Sequence, residues 1–250
     1  MPEPSAGARR RLPALIVGDV HGDLERLFGA LAPYPPSAWH TVFLGDLVDG
    51  GPFGVGALRY SRDRTNSTVL LGNHEVGMLW ALRDRSQVGF WMGLGGQLHD
   101  LEELRRDPQL AAWMRRLPAL LKLPDGTLVQ HSDTDAYARL VEAGEPDPVA
   151  AVNREVGRLL EEEREDLLWS LLTPKHVFRR NPLRVEAWLQ RTGACRIVHG
   201  HSPHRLAGPE VYREGRVINF DGSLSRHRTT SRRWGARPFA ASVGPLPPPA

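Results

Sequence analysis

Gly18-Asp19-Val20-His21-Gly22 closes an apolar run, Leu12 to Val17, with a carboxylate and an imidazole two positions apart. A hydrophobic strand that ends in this way delivers two potential metal ligands to its C-terminal tip. Two later stretches repeat the arrangement. Thr41 to Leu44 runs into Gly45-Asp46-Leu47-Val48-Asp49, and Thr68 to Leu71 runs into Gly72-Asn73-His74-Glu75. The interval is 27 residues both from Asp19 to Asp46 and from Asp46 to Asn73, which is about one βα unit. Parallel strands built from such units bring their C-terminal ends to one edge, where open α/β sheets bind ligands. The three stretches are expected to converge, with Asp46 on the middle strand.

Composition bounds what such a site can be. At 250 residues, 41 % hydrophobic and 24 % charged, the chain has the make-up of one globular domain. No apolar run approaches the roughly 20 residues of a membrane span, and residues 1–11 lack the roughly 7–15-residue apolar core of a secretory signal. A cytoplasmic location without membrane association is the expectation. Cys195 is the only cysteine, so an intrachain disulfide and a thiolate-rich zinc site are excluded, and any metal must be held by nitrogen and oxygen. The net charge of +3 rests almost wholly on arginine, since Lys122 and Lys175 are the only lysines.

Between the three strands, Leu24 to Leu31 reads as a helix packing Leu24, Leu27, Phe28 and Leu31 on the sheet. Gly50 to Gly56 reads as a flexible turn before a helix at Ala57 to Arg62, because it fits neither the phosphate-loop nor the dinucleotide glycine pattern. Glu75 to Arg83 continues as a helix, which puts His74 at a helix N-terminus. Gly89 to Gly96 reads as a loop over the sheet edge, either a lid or a buried connector. Helix follows over Asp100 to Leu117, broken at Pro108. A hairpin turn then starts at Lys122, and the strand Thr127 to Gln130 delivers His131. Asp135 to Glu142 and Asp147 to Leu172 are helical, with Glu161, Glu162, Glu163, Glu165 and Asp166 on a solvated face. After a helix at Arg184 to Arg191, the strand Cys195 to His199 ends in Gly200-His201-Ser202-Pro203. A last strand, Arg216 to Phe220, closes on Asp221-Gly222. The expected organisation is a flexible N-terminus over 1–11, one domain over 12–225, and a basic then proline-rich tail over 226–250 that is at best partly ordered.

The strand-end groups are Asp19, His21, Asp46, Asp49, Asn73, His74, His131, His199 and His201. One histidine at a strand end is usually structural, but the repeated strand, glycine, ligand grammar makes coincidence implausible. Carboxylates and imidazoles with one neutral amide suit Mn²⁺, Fe or Zn²⁺. A central carboxylate can bridge two ions roughly 3.5–4 Å apart, a pair able to polarise a phosphate and activate water.

GDVHG, GDLVDGG, GNHE, His131 and GHSP, in this order, resemble the calcineurin-like metallophosphoesterase superfamily. The GNHE and GHSP forms are most similar to its bacterial phosphoprotein phosphatases (serine/threonine type) and symmetrical diadenosine tetraphosphatases. The resemblance runs from Leu12 to about Gly222. It implies an α/β fold of two mixed β-sheets packed as a sandwich flanked by helices, with two divalent metal ions, foremost Mn²⁺. It implies that Asp19 and His21 hold one ion, that Asn73, His131 and His201 hold the other, and that Asp46 bridges them. His74 would be the general acid, oriented by Asp49, and a metal-activated hydroxide would attack phosphorus directly. His199 stays open as a ligand.

Two departures bear on the substrate. The phosphatases carry an arginine where this chain has Gly50 and another where it has Leu71, each a clamp on substrate phosphate. Either another arginine, such as Arg59, Arg62, Arg179 or Arg180, reaches in, or the substrate is not a phosphoprotein. The leading expectation is hydrolysis of phosphomonoesters, as by a serine/threonine protein phosphatase. The alternative is a nucleotide hydrolase, a diadenosine tetraphosphatase or a phosphodiesterase, with Phe90, Trp91 or Trp169 stacking on a base. A metal-binding scaffold without catalysis, and nucleic-acid binding through Arg226, Arg228, Arg232, Arg233 and Arg237, complete the set.

Overall fold

Alternation along the first strand, β1 (Ala14–Val17), decides the layering. Leu15 and Val17 point into the main hydrophobic core, while Ile16 points into a second, smaller one. A strand buried on both faces needs a continuous apolar run rather than an alternating one. The computed structural model of the chain describes residues 11–228, 232, 233, 235 and 237–248. The expected flexible N-terminus, apart from Arg11, therefore lies outside the described residues.

After β1 come α1 (Leu24–Leu31), β2 (His40–Phe43), α2 (Gly54–Asp63), β3 (Ser67–Val69) and α3 (Asn73–Arg83). A helical stretch follows, with α4 (Val88–Gly93), α5 (Leu98–Arg106) and α6 (Pro108–Met114) ahead of the hairpin β4 (Leu120–Lys122) and β5 (Thr127–Gln130). The second half holds α7 (Pro148–Glu161), α8 (Glu165–Leu172), α9 (Val177–Arg180), α10 (Pro182–Thr192), β6 (Arg196–His199), β7 (Glu210–Tyr212), β8 (Val217–Asn219) and β9 (Val243–Pro245).

The strands form two mixed sheets, ordered β3-β2-β1-β9 and β4-β5-β6-β8-β7. β1, β2 and β3 are parallel to one another, as are β5, β6 and β8, and the antiparallel strands β9, β4 and β7 sit at sheet edges. Ile16, Val42, Leu44 and Leu70 of the first sheet meet Val129, Val198, Ile218 and Phe220 of the second in the small core between them. The outer faces carry Leu15, Val17 and Phe43, and Leu128, Ile197 and Val217, into the cores under the helices. This is the α/β sandwich expected, with the ends of β1, β2, β5 and β6 turned to one edge. None of the helices among the described residues is long and apolar enough to cross a membrane.

Five local readings need correction. In α1, Leu27, Ala30 and Leu31 are buried, but Phe28 is half exposed on the rim of that face and meets Tyr60 edge-on. The glycine-rich turn is shorter than its composition suggests, because α2 starts at Gly54: the Asp100 carboxylate accepts the Gly54 and Val55 N–H groups at 3.1 and 2.9 Å and caps the helix from another segment. Gly89 to Gly96 is mostly helix, α4, not a loop. Glu165 leaves the solvated acidic face, being 1 % exposed and paired with Arg83 at 2.8 Å. The tail is not simply appended: Val243–Pro245 pairs antiparallel with β1, and a proline is tolerated there because β9 is an edge strand.

Candidate active site

The loops that leave β1 and β2 turn sharply, and so does the one after β6. His21, Asp46, Asp49 and His201 all have positive φ, at 48°, 52°, 68° and 62°. This left-handed region is costly for residues with a Cβ and clusters at functional sites. Glu75 holds the middle loop. Its fully buried carboxylate accepts N–H groups from Asp46 (2.8 Å), Leu47 (2.7 Å), Val48 (3.3 Å) and Gly72 (2.9 Å), tying the β2 loop to the start of α3. Gly72 must be glycine because a Cβ there would overlap the backbone nitrogen and Oδ1 of Asp46.

Asp46 sits where two groups of donors meet. Potential ligand atoms of His21, Asp46 and His74 lie within 4.8 Å of one another, and so do those of Asp46, His131 and His201. All five residues are buried. Each of three histidines gives one ring N–H to a backbone carbonyl: His21 Nδ1 to Val48 (3.2 Å), His131 Nδ1 to Leu44 (2.8 Å) and His201 Nε2 to Thr173 (3.1 Å). That fixes the tautomer and leaves the other nitrogen's lone pair facing the cavity. There His131 Nε2 lies 3.0 Å from Asn73 Oδ1 and 3.3 Å from Asp46 Oδ1. His21 Nε2 is 3.8 Å from Asp19 Oδ2, and His201 Nδ1 is 3.8 Å from Asp46 Oδ2. Asp19 also accepts the His201 N–H through Oδ1 at 2.9 Å. Lone pairs facing lone pairs with no proton between them are what a cation resolves, so the donor set fits divalent metal ions.

His74 is held differently. Its Nδ1–H donates to Asp49 Oδ2 at 2.7 Å, and the other Asp49 oxygen accepts the Trp91 indole N–H at 2.8 Å. Its Nε2 turns to the cavity, 3.8 Å from Asp46 Oδ2.

Charge states follow from burial and neighbours. Burial holds the imidazoles of His21 and His131 below the usual histidine range and brings His201 to about 4, so these three are neutral and ready to ligate near neutral pH. For His74 burial acts the same way, but the Asp46 and Asp49 carboxylates outweigh it and the imidazole is raised. Burial pushes Asp19 well up, reinforced by Asp221 and Asp46, and brings Asp221 to about 6. At Asp46 burial is opposed by the protonated His74, and the carboxyl is held well below the ordinary carboxylate range.

A model of the calcineurin-like phosphoesterase family matches residues 12–205. The chain belongs to that family. Two curated relatives, from Aromatoleum aromaticum and Stutzerimonas stutzeri, are each named bis(5'-nucleosyl)-tetraphosphatase, symmetrical. They are 31 % identical over 153 residues and 30 % over 154, covering 58 % and 59 % of this chain and half of each relative. The chain thus spans about half the length of the curated relatives it matches. Among solved structures, a cold-active protein-tyrosine phosphatase of a psychrophilic Shewanella species superposes with a TM-score of 0.64 at 16 % identity, over 95 % of this chain and 81 % of that one. A Saccharomyces cerevisiae protein serine/threonine phosphatase gives 0.52 at 15 %, over 83 % and 66 %. At these identities the likeness is one of fold.

Eight of the nine strand-end residues, Asp19, His21, Asp46, Asp49, Asn73, His74, His131 and His201, lie together at this site. His199 does not join them: its Nδ1 meets the Gly200 carbonyl and its Nε2 the Tyr212 hydroxyl, each at 2.8 Å. The aromatic trio does not offer a stacking face as a set. Trp91 is fully buried, while Phe90, 40 % exposed, meets Trp80 and Trp169 edge-on. Arg59 is paired with Glu103 and Asp107, Arg62 with Asp63 and Arg179 with Glu210, and none of them lines the metal cavity.

The residues that sequence reasoning missed around this cavity of about 90 Å³ include Lys175, Asp221, Ser223, Ser225 and Arg228. Only Asp221, following an apolar strand, carried the same signal as the residues that were found. Leu71 is fully buried in the main core, so that position packs rather than binds.

Proposed function

We propose that this phosphoesterase hydrolyses phosphate esters and anhydrides at a two-metal centre, with a nucleoside polyphosphate as its substrate class. The observation that carries the reading is the sharing of one carboxylate, Asp46, between two buried donor groups. His21 and Asp19 would hold one ion, Asn73, His131 and His201 the other, and Asp46 both. Bound divalent ions, Mn²⁺ foremost, would neutralise the phosphate's charge and lower the pKa of water. Protonated His74 faces the cavity through Nε2 and gives that proton to the departing oxygen, while Asp49 holds Nδ1–H and favours the imidazolium. Trp91 keeps Asp49 in place.

Two considerations favour a nucleotide over the phosphoprotein first expected. The relatives near 30 % identity carry the tetraphosphatase name. Beside His74 an open cleft of about 430 Å³, lined in part by Gly50, Gly95, His227 and Arg232, leaves room for a nucleotide leaving group next to the acid.

The test is steady-state turnover by metal-stripped protein reconstituted with Mn²⁺. The panel is diadenosine tetraphosphate, an aryl phosphomonoester, an aryl phosphodiester and a phosphothreonine peptide, with His74→Asn and Asp46→Asn alongside. The dinucleotide should lead in kcat/KM, and His74→Asn should cost about 10²–10⁴-fold. Preference for the phosphopeptide would return the protein to the phosphatase reading. Turnover indifferent to His74 would refute the mechanism.

A further inference from the structure

Arg228 belongs to the segment that the sequence offers only as a basic tail. Its neighbour Arg226 is committed to the fold: the guanidinium pairs with Asp23 and Glu25, and its N–H donates to Asp23 Oδ2 at 2.9 Å. This anchor directs the next residues over the metal cavity. Arg228 crosses the face of Gly50, where a Cβ on the glycine would lie 2.8 Å from Arg228 Cδ and 3.7 Å from His21 Cβ. Any larger residue at 50 would displace the arginine's stem.

One Nη of Arg228 donates to the Leu94 carbonyl at 2.8 Å, which fixes the fork without neutralising it. Among the described residues, Arg228 has no carboxylate within ion-pair distance, whereas its neighbour Arg226 has two. It lines both the metal cavity and the open cleft beside it, and His74 is the other residue common to the two. Its charge is felt at His21, His74 and Asp221. Lys175, the other cation of the cavity, is felt at His131 and His201. A part-buried guanidinium aimed between a proton donor and an open cleft, with no anion of its own, is a vacant half of a charge-assisted pair.

We infer that Arg228 is the phosphoryl-binding cation of this site, gripping oxygens of the phosphate under attack from the His21 and His74 side. The inference rests on the phosphoesterase reading above, and names the residue that holds the anion where Gly50 supplies none. Arg228 so placed also touches the mouth of the cleft, where the next phosphate of a nucleoside polyphosphate would lie.

Orthophosphate titrated calorimetrically into Mn²⁺-loaded protein tests this without turnover. Arg228→Ala should bind phosphate at least tenfold more weakly than wild type, and Arg228→Lys about threefold, because a lysine keeps the charge and loses the fork. Metal content and melting temperature should stay those of wild type. Arg62→Ala, altering a surface pair with Asp63, should bind as wild type does. Equal phosphate affinity in wild type and Arg228→Ala overturns the inference, as does equal weakening by Arg62→Ala. If Arg228→Ala does not fold, wild-type affinity in Arg228→Lys overturns it as well. Absence of phosphoester turnover by wild type would instead refute the proposed activity, and the phosphate titrations would still decide the role of Arg228.

Discussion

His74 donates to Asp49, and Asp49 accepts from Trp91, so the orientation of one imidazole depends on an indole 17 positions further along the chain. Trp91→Phe keeps an aromatic ring, though a smaller one, and removes the N–H. The expected result is a fall in kcat of about 10-fold, with KM and bound metal unchanged; a raised KM at normal kcat would place Trp91 in substrate binding instead. Glu75 is a second residue whose work is indirect. A glutamine there would have one carbonyl oxygen for four N–H donors and would turn its own amide hydrogens toward some of them. Glu75→Gln should lower unfolding free energy by roughly 2–3 kcal/mol, read from the urea midpoint, and unchanged stability would contradict the clamp. At this scale the ligands were legible because each lies at the end of an apolar strand, most of them just past a glycine, while His131 follows Gln130 directly. The roles of Trp91, Lys175 and Arg228 were not, because none of them ends a strand: Trp91 lies in a stretch that reads as a loop, Lys175 between two helices and Arg228 in a basic tail.

Among the elements, the strands with parallel partners could be read directly, since burial on both faces demands an uninterrupted apolar run. The antiparallel edges were harder. β7 presents Glu210, Val211 and Tyr212 with half its surface outward, and β9 ends in a proline, so neither carries a strand's usual signature. α4 was obscured by its glycines, although it buries Trp91 at the site. The α3–α8 contact includes the Arg83–Glu165 pair, whose glutamate hydropathy alone assigned to solvent. Arg83→Met would leave the carboxylate of Glu165 buried without its partner. A loss of roughly 2 kcal/mol is expected, less than the 3–5 kcal/mol typical of a fully buried pair because the guanidinium is partly exposed. Thermal or urea unfolding measures it, and a wild-type midpoint would show that water satisfies Glu165 equally well.

For the whole molecule, the sandwich sets the chemistry by geometry. Two sheets face each other through a thin apolar core, and their loops meet along one edge. Residues from 19 to 228 thereby share one cavity. The pairing of the sheets followed from family resemblance rather than from hydropathy, because packing partners of a strand are not written in its own pattern. The sharing of Asp46 by two donor groups is the centre of the account, and metal counting is its most direct test. Protein stripped with chelator and reloaded with Mn²⁺ should carry two ions per chain by elemental analysis, with phosphoester turnover rising as the second site fills. Asp46→Asn should hold fewer ions and lose turnover. A single ion at saturation, or full activity in the stripped protein, would contradict it.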